Sequence, residues 1–450
     1  MYVSTKWTLF YSFLCRWGKI AVSNFYDEIE IVGLENLPDD KPIIFIANHQ
    51  CTFMDPVAIA VLTPNRFQPA FLTRADVFKN PIVHFLLNKM KMMPIYRQRD
   101  GADFIQKNEE IFQNCKDLLA NQQSFIIFVE GSHSDKRKLR HVKKGFARMG
   151  FDAEQDNDFS LDVHVVPIGL NYSHFEKFKS DYFINIGKPI KLSPYYDLYK
   201  EHKNKALNKI KNDAFKELEQ YILHIPNLER YDAFENIRTI ASPSIATALS
   251  LNPQKLSDKF KAEKYLLKAL NEIDSNTPDD LNGLESRVLA YMQDLEKLDF
   301  RPLLFDKEPK SSSTLILQFI GMFLLIPFHL YGVLFNYAMY KFIEVLANKF
   351  FADRMYRSSV KMAMGMFLFP PYYLILSLIF WLVFRNFWWT LLFLGSIILA
   401  GKFSAWYWRK YKKLKAQWRY QGFVKKEPTQ WEKLNQQHQR IVEETKGLVL

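Results

Sequence analysis

Cysteine is scarce: Cys15, Cys51 and Cys115 are the only three in 450 residues. They are odd in number and far apart, so no disulfide framework is expected and a reducing compartment is. No spacing among His49, His133, His141 and the carboxylates matches a standard zinc set, so neither a metal nor another cofactor is expected. Zinc-finger spacing and RNP-like aromatic boxes are missing, which removes the common nucleic-acid modules. No G-x-S-x-G elbow occurs, which argues against the usual serine hydrolase. The amino-terminal apolar stretch is broken by Arg16 and Lys19 and has no small-residue cleavage site after it, so a secretory signal is not expected.

What the chain holds in quantity is apolar and basic side chains. Hydrophobic residues make up 48% and aromatics 16%, with 39 Phe, and the net charge is +12. A basic chain suits nucleic acid or an anionic membrane. Here the charge lies beside very apolar segments, which favours the membrane. Residues 311–340, 362–384 and 386–401 contain no charged side chain. Such runs approach or exceed the roughly 20 residues that cross a bilayer. Trp381, Trp388, Trp389, Trp406 and Trp408 cluster near their ends, as interfacial belts do. Three runs would put the terminal tail opposite the residues that precede them. Yet the tail from Arg409 to Lys426 and the loop from Lys341 to Lys361 are both basic, which favours the cytoplasmic side for each. The expected arrangement is therefore a bent, re-entrant hairpin over 315–347, broken near Pro327, followed by two crossings. The expected localisation is an integral membrane protein with the domain ahead of these runs on the cytoplasmic face. At the amino terminus Trp7, Phe10, Leu14, Trp17 and Ala21 recur at spacings of three and four, and Phe13 and Ile20 widen the face. That pattern fits a helix lying on a bilayer or one packing on its own domain.

Between Tyr26 and Pro189 short apolar runs (29–32, 43–47, 70–73, 125–129, 163–170 and 182–186) alternate with helical patterns (56–62, 81–91, 104–120 and 144–150). The alternation predicts an α/β domain whose helices cover a mostly parallel sheet. Residues 195–305 carry helical periodicity with a solvated charged face, and a polar linker follows at 307–313. The expected division is an amphipathic helix at 1–26, the α/β domain at 27–194, and a helical extension and linker at 195–310. Membrane helices at 311–408 and a basic tail at 409–450 follow.

Four clusters carry chemistry. The segment from Asn48 to Asp55 puts His49 and Asp55 at the end of a buried-strand signal, where open α/β folds place ligands. A neutral imidazole can take a proton from a hydroxyl, and a carboxylate on its other nitrogen fixes the tautomer. The same residues also fit a plain helix start, with Asp55 as N-cap ahead of Pro56, and a polar loop histidine. Arg97 and Arg99 follow an apolar stretch at 92–95. Glu130, Gly131, Ser132 and His133 end the apolar run at 125–129, with Gly131 allowing close backbone approach; an ordinary strand-ending turn would look alike. Lys143 and Lys144 open a predicted helix, where lysines and N–H groups together can hold a phosphate, or simply face water. Val165, Val166, Pro167 and Ile168 form the fourth cluster.

In that order these clusters resemble the histidine–aspartate, arginine, F-P-E-G-T-R-S and V-P-I/V blocks of the phospholipid/glycerol acyltransferase superfamily. The resemblance covers residues 27–190. It implies a glycerolipid-acyltransferase α/β fold and acyl transfer from acyl-CoA or acyl carrier protein to a glycerophosphate hydroxyl, of lysophosphatidic acid or glycerol 3-phosphate. It implies His49 as general base, Asp55 as its orienting carboxylate, Arg97 with nearby lysines on the acceptor phosphate, and Glu130 and Gly131 shaping the acceptor pocket. It needs no covalent acyl-enzyme; Cys51, two residues from His49, is the alternative nucleophile. The sequence departs from the pattern at three points. Five residues, not four, separate His49 from Asp55, as in a subgroup resembling the fungal glycerol-3-phosphate/dihydroxyacetone phosphate acyltransferases. Val129 replaces the proline. Ser132 and His133 replace Thr-Arg, leaving Arg97, Arg137, Arg140 or Lys143 to supply charge. The rival expectations are a membrane lipid hydrolase using the same His/Asp pair and a noncatalytic lipid-binding protein.

Overall fold

A computed structural model describes residues 8–64, 67–97, 101, 103–351 and 354–450. Trp7 of the amino-terminal stripe, and Gln98 and Arg99 beside Arg97, lie outside the described residues. The chain forms two compact units, Met1–His224 with Asp353–Met362, and Ile225–Ala352 with Ala363–Leu450.

The first unit is built on eight strands among the described residues: β1 (Ile29–Val32), β2 (Ile43–Ala47), β3 (Ala70–Arg74), β4 (Met92–Ile95), β5 (Ser124–Phe128), β6 (His164–Tyr172), β7 (Tyr182–Ile186) and β8 (Ile190–Lys191). β2 lies between β5 and β6 and is parallel to both. β3 follows β5 and β4 closes that edge, again parallel. β7 runs antiparallel on β6, with β1 parallel outside it, and β8 adds antiparallel at the start of β6. Every residue of β2 is 0% exposed, the pattern of a central strand covered on both faces.

Helices α1 (Leu9–Phe25), α2 (Met54–Leu62), α3 (Pro81–Lys89), α4 (Phe104–Ala120), α5 (Gly145–Asp156), α6 (Tyr196–Glu201) and α7 (Lys203–Gln220) cover the sheet. Side-chain alternation sorts the core into two layers. Ile44, Ile46, Phe125 and Val165 meet α4, α5 and α7. Phe45, Ala47, Ile168, Leu170 and Tyr172 meet α1 and α2. The unit runs on through His224, past the expected boundary at 194, because α7 buries Ala206, Ile210, Ala214 and Leu218 in the first layer. At Gly169 an added Cβ would lie 1.9 Å from the Tyr221 carbonyl oxygen, so the end of α7 can seat against β6 only over a glycine. On α1, Tyr11, Val22 and Phe25 pack into the second layer, while Leu9, Phe10, Phe13 and Ile20 stay exposed. The stripe read from the sequence is thus largely the outward face, and a second face does the packing.

The second unit contains α8 (Tyr231–Ala248), α9 (Leu256–Asn276), α10 (Asp279–Lys297), α11 (Ser312–Leu324) and α12 (Ile326–Phe350). It also contains α14 (Phe387–Lys426), α15 (Pro428–Val449) and most of α13 (Arg354–Phe384). Met355–Phe384 and Phe387–Lys426 are long and apolar enough to cross a membrane. α11 and α12 break at Leu325 with a 51° bend. The break sits two residues before Pro327, as the proline predicts, and the bent pair fits either a broken span or a re-entrant loop. α14 runs antiparallel beside α11 and α12, with Tyr331–Ser396 (2.7 Å) and His329–Ser404 (2.8 Å) hydrogen-bonded and Tyr407 donating to the Met322 carbonyl (3.1 Å). The tail expected from 409 onward is instead the end of α14 followed by α15. α15 docks on the extension: His438 reaches Tyr291 at 3.1 Å and Asp306 at 3.0 Å, and Tyr265 donates to the Val449 carbonyl at 2.8 Å.

Candidate active site

β2, β5, β3 and β4 all end at one edge of the sheet, and the clusters read from the sequence sit there. β2 delivers Asn48, whose amide clamps β6: it donates to the Leu170 carbonyl (3.0 Å) and accepts from the Leu170 N–H (2.8 Å). The next residue is His49. After it the chain turns into α2, which begins at Met54 with Phe53 as N-cap. Asp55 therefore stands inside the helix, not at its N-cap, and its carboxylate points back over the turn. Its Oδ2 accepts from His49 Nδ1 (2.7 Å), Gln50 N (2.9 Å) and Cys51 N (2.8 Å). Its Oδ1 accepts from the Tyr172 hydroxyl. The five-residue spacing costs the pair nothing, because the extra residue is taken up in a turn closed by the Asp55 N–H on the Cys51 carbonyl (3.0 Å).

The geometry assigns the tautomer. A carboxylate only accepts, so Nδ1 of neutral His49 carries the proton and Nε2 keeps its lone pair. The ring is stacked on Phe128 (centroids 4.1 Å apart, 17°) and meets the His133 ring edge-on at 5.8 Å. Asp55 is 0% exposed and the His49 side chain 15%, so the pair opens to solvent only on the imidazole side.

β5 delivers Glu130 and Gly131. Gly131 has φ +73°, a left-handed conformation that glycine adopts without strain. An added Cβ there would meet Lys143 Nζ at 2.4 Å, so the lysine chain lies directly over this turn. The Glu130 carboxylate is buried and already engaged, accepting from the His49 N–H (3.1 Å) and from Arg140 Nε (2.9 Å). Arg140 also donates to Ser132 Oγ at 2.8 Å and to the Ser132 carbonyl. Glu130 therefore ties the His49 backbone to an arginine that is one-third exposed. Lys144 is the exposed N-cap of α5.

His49, Asp55, Glu130, Gly131, Ser132 and Lys143 are thus brought together. Arg97 stands two residues beyond β4, half-buried, at the same edge of the sheet. Three strand steps, about 14 Å, separate β4 from β2. Cys51 is fully buried, 3.4 Å from Ser358 Oγ, and Thr52 hydrogen-bonds Ser359 Oγ at 2.9 Å. Burial and the neighbouring Asp55 charge push the Cys51 thiol up to about 12, so at neutral pH it carries no thiolate for attack.

Sequence reasoning named Arg140 as one source of charge here, but it missed Asn48, Phe128 and Tyr172 as members of this site. Only Tyr172 left a usable signal: it continues the every-second-residue series Ile168, Leu170 on the face of β6 that meets α2.

Residues 28–171 match the Acyltransferase family model. Over 138 residues the chain is 30% identical to the chloroplastic 1-acyl-sn-glycerol-3-phosphate acyltransferase LPAT1 of Arabidopsis thaliana, covering 30% of this chain and 36% of that protein. It is 33% identical over 138 residues to glycerol-3-phosphate O-acyltransferase 2 of Saccharomyces cerevisiae, covering 29% of this chain and 18% of that protein. The matched segment is thus about a third or less of these relatives' length. The crystal structure of the 1-acyl-sn-glycerophosphate (LPA) acyltransferase PlsC from Thermotoga maritima aligns with a TM-score of 0.34 and 21% identity, over 46% of this chain and 79% of that one. The match to the Acyltransferase model lies within the first unit and spans the segment that carries His49, Asp55 and Glu130.

Proposed function

We propose that the protein moves a fatty acyl group from an acyl thioester, acyl-CoA or acyl carrier protein, to a glycerophosphate hydroxyl. The observation that carries this reading is the buried Asp55 carboxylate at 2.7 Å from His49 Nδ1, which leaves Nε2 as a proton acceptor at the sheet edge. His49 takes the proton of the acceptor hydroxyl. The oxygen attacks the thioester carbonyl, forming an ester bond as the carbon–sulfur bond breaks. The departing thiolate takes the proton back from the imidazolium, so the step balances without a covalent enzyme intermediate. Arg97, Lys143 and Lys144 are the cations assigned to the acceptor phosphate, and Arg140 joins them because its guanidinium is held at Ser132. Glycerol 3-phosphate and lysophosphatidic acid are the two acceptors considered.

The test is acyl-CoA consumption by the purified full-length chain with each acceptor. Transfer to either supports the reading, and His49→Ala should lower turnover by two to four orders of magnitude. Near-normal turnover of a folded His49→Ala protein would overturn the mechanism.

The same reading places the chain in a membrane with the sheet unit on the cytoplasmic face, where acyl thioesters are formed. Two features support it: the pair of long apolar helices, and the exposed Leu9, Phe10, Phe13 and Ile20 of α1, which suit a lipid surface.

A further inference from the structure

Asp55 uses its two oxygens unequally. Oδ2 carries the three contacts that aim it at His49 and the turn, while Oδ1 faces inward to the Tyr172 hydroxyl. We infer that Tyr172 is a positioning residue of the His49–Asp55 pair: its hydroxyl pins Oδ1, so that Oδ2 keeps its line to His49 Nδ1 and part of the carboxylate charge is held away from the imidazole. This rests on the acyl-transfer reading of the site.

Two observations make the tyrosine a fixed donor and not an incidental neighbour. Its ring is 2% exposed and stacked on Tyr182 (centroids 4.2 Å apart, 9°), with Tyr26 at 6.0 Å, so the hydroxyl is shut away from water beside those two tyrosines and the Asp55 carboxylate. Its backbone is held too, since the Tyr172 carbonyl accepts from Arg137 Nη2 at 2.8 Å. Burial first, and then the Asp55 charge, raise the Tyr172 hydroxyl well above its ordinary range, so it stays a donor throughout any working pH.

The other groups facing the pair are few. Tyr26 at the end of α1, Tyr182 on β7 and Cys51 in the turn are all raised by burial and stay neutral. On the open side stand Glu130, bound to Arg140, and His133. Glu176 acts on Cys51. None of these is a donor to Oδ1, so among the described residues the hydrogen bond to that oxygen comes from Tyr172.

Losing this donor leaves a more basic carboxylate, which holds the protonated imidazole more tightly. In the full-length protein Tyr172→Phe should lower kcat on the order of ten-fold, with the acceptor KM little changed. The acid limb of its kcat/KM profile should move up by about half to one pH unit. Tyr182→Phe, which removes a hydroxyl from the same stack, should leave the profile in place. Should Tyr172→Phe fail to fold, 3-fluorotyrosine at 172 keeps the shape and strengthens the donor, and must move the limb down. A profile that overlays the wild type in either variant overturns the inference. If the wild-type protein transfers no acyl group to either acceptor, the functional reading fails instead. The inference is then read from the pH dependence of diethyl pyrocarbonate modification of His49, by peptide mass. That curve must still shift in the variant, and a curve that stays put overturns it.

Discussion

At the scale of single residues, the chain buries polar groups where a local reading would leave them in water, and each has a measurable consequence. Cys51 sits two residues from His49 but is sealed against Ser358, with its thiol raised to about 12 by burial and then by Asp55. Cys51→Ser should keep at least half the wild-type turnover; complete loss in a folded protein would reopen covalent catalysis. Lys91 is the more expensive group. It is 1% exposed, its Nζ has no hydrogen-bond partner among the described residues, and Nζ lies 5.7 Å from the centre of the Tyr11 ring. Desolvation lowers it from 10.5 to about 8. Because the folded value lies below the unfolded one, the penalty is complete below pH 8 and disappears as pH rises from 8 towards 10.5. Lys91→Met should therefore stabilise the protein by roughly 3 kcal/mol at neutral pH. Thermal melts from pH 7 to 10.5 check this: the gap between variant and wild type must shrink as pH rises.

At the scale of elements, close approach between backbones decides how the sheet unit is closed. α7 can cap β6 only because Gly169 offers no Cβ to the Tyr221 carbonyl. Gly169→Ala should cost about 1–3 kcal/mol through overpacking and lower the melting temperature. An unchanged melt would show that the end of α7 relaxes at no cost. The edge strand β4 illustrates the opposite case, an element with almost no local signature. Four residues with a proline at 94 carry no alternation, yet they pair because β3 presents a parallel ladder from Phe71 to Arg74.

At the scale of the whole chain, contacts within each unit constrain how often it crosses a membrane. Residues 225–305 precede the apolar helices and α15 follows them, yet α15 packs on α10 through His438 and Tyr291 and on α9 through Val449 and Tyr265. On the membrane reading proposed above, both ends then lie on one side, which gives an even number of crossings. The first turns of α13, through Met362, belong to the sheet unit. The bent pair α11–α12 should accordingly enter and leave on the same face, with α13 and α14 making the two crossings. Single cysteines placed in a cysteine-free chain can test this in intact cells with an impermeant reagent. A cysteine at Asn386 should label and one at Gln436 should not; labelling at Gln436 would restore three crossings.

Composition and periodicity alone determined the alternating strands and helices of the first unit, the two helices long and apolar enough to cross a membrane, and the order of the four clusters. These are local properties: an apolar run needs burial wherever it lands, and a parallel strand ends where its ligand-binding turn begins. The break near Pro327 was equally legible, since proline removes a helical hydrogen bond by itself. Tertiary structure alone decided the rest. That Asp55 turns back from inside α2 depends on four donors that converge from the turn and from β6. That Glu130 is consumed by the His49 backbone and Arg140 depends on a contact across 81 residues. The outward face of α1 and the docking of α15 rest on partners equally distant in sequence. Hydrophobic pattern specifies which side of an element is buried, but the pairing of buried polar groups is set by which elements meet, and no local periodicity encodes that.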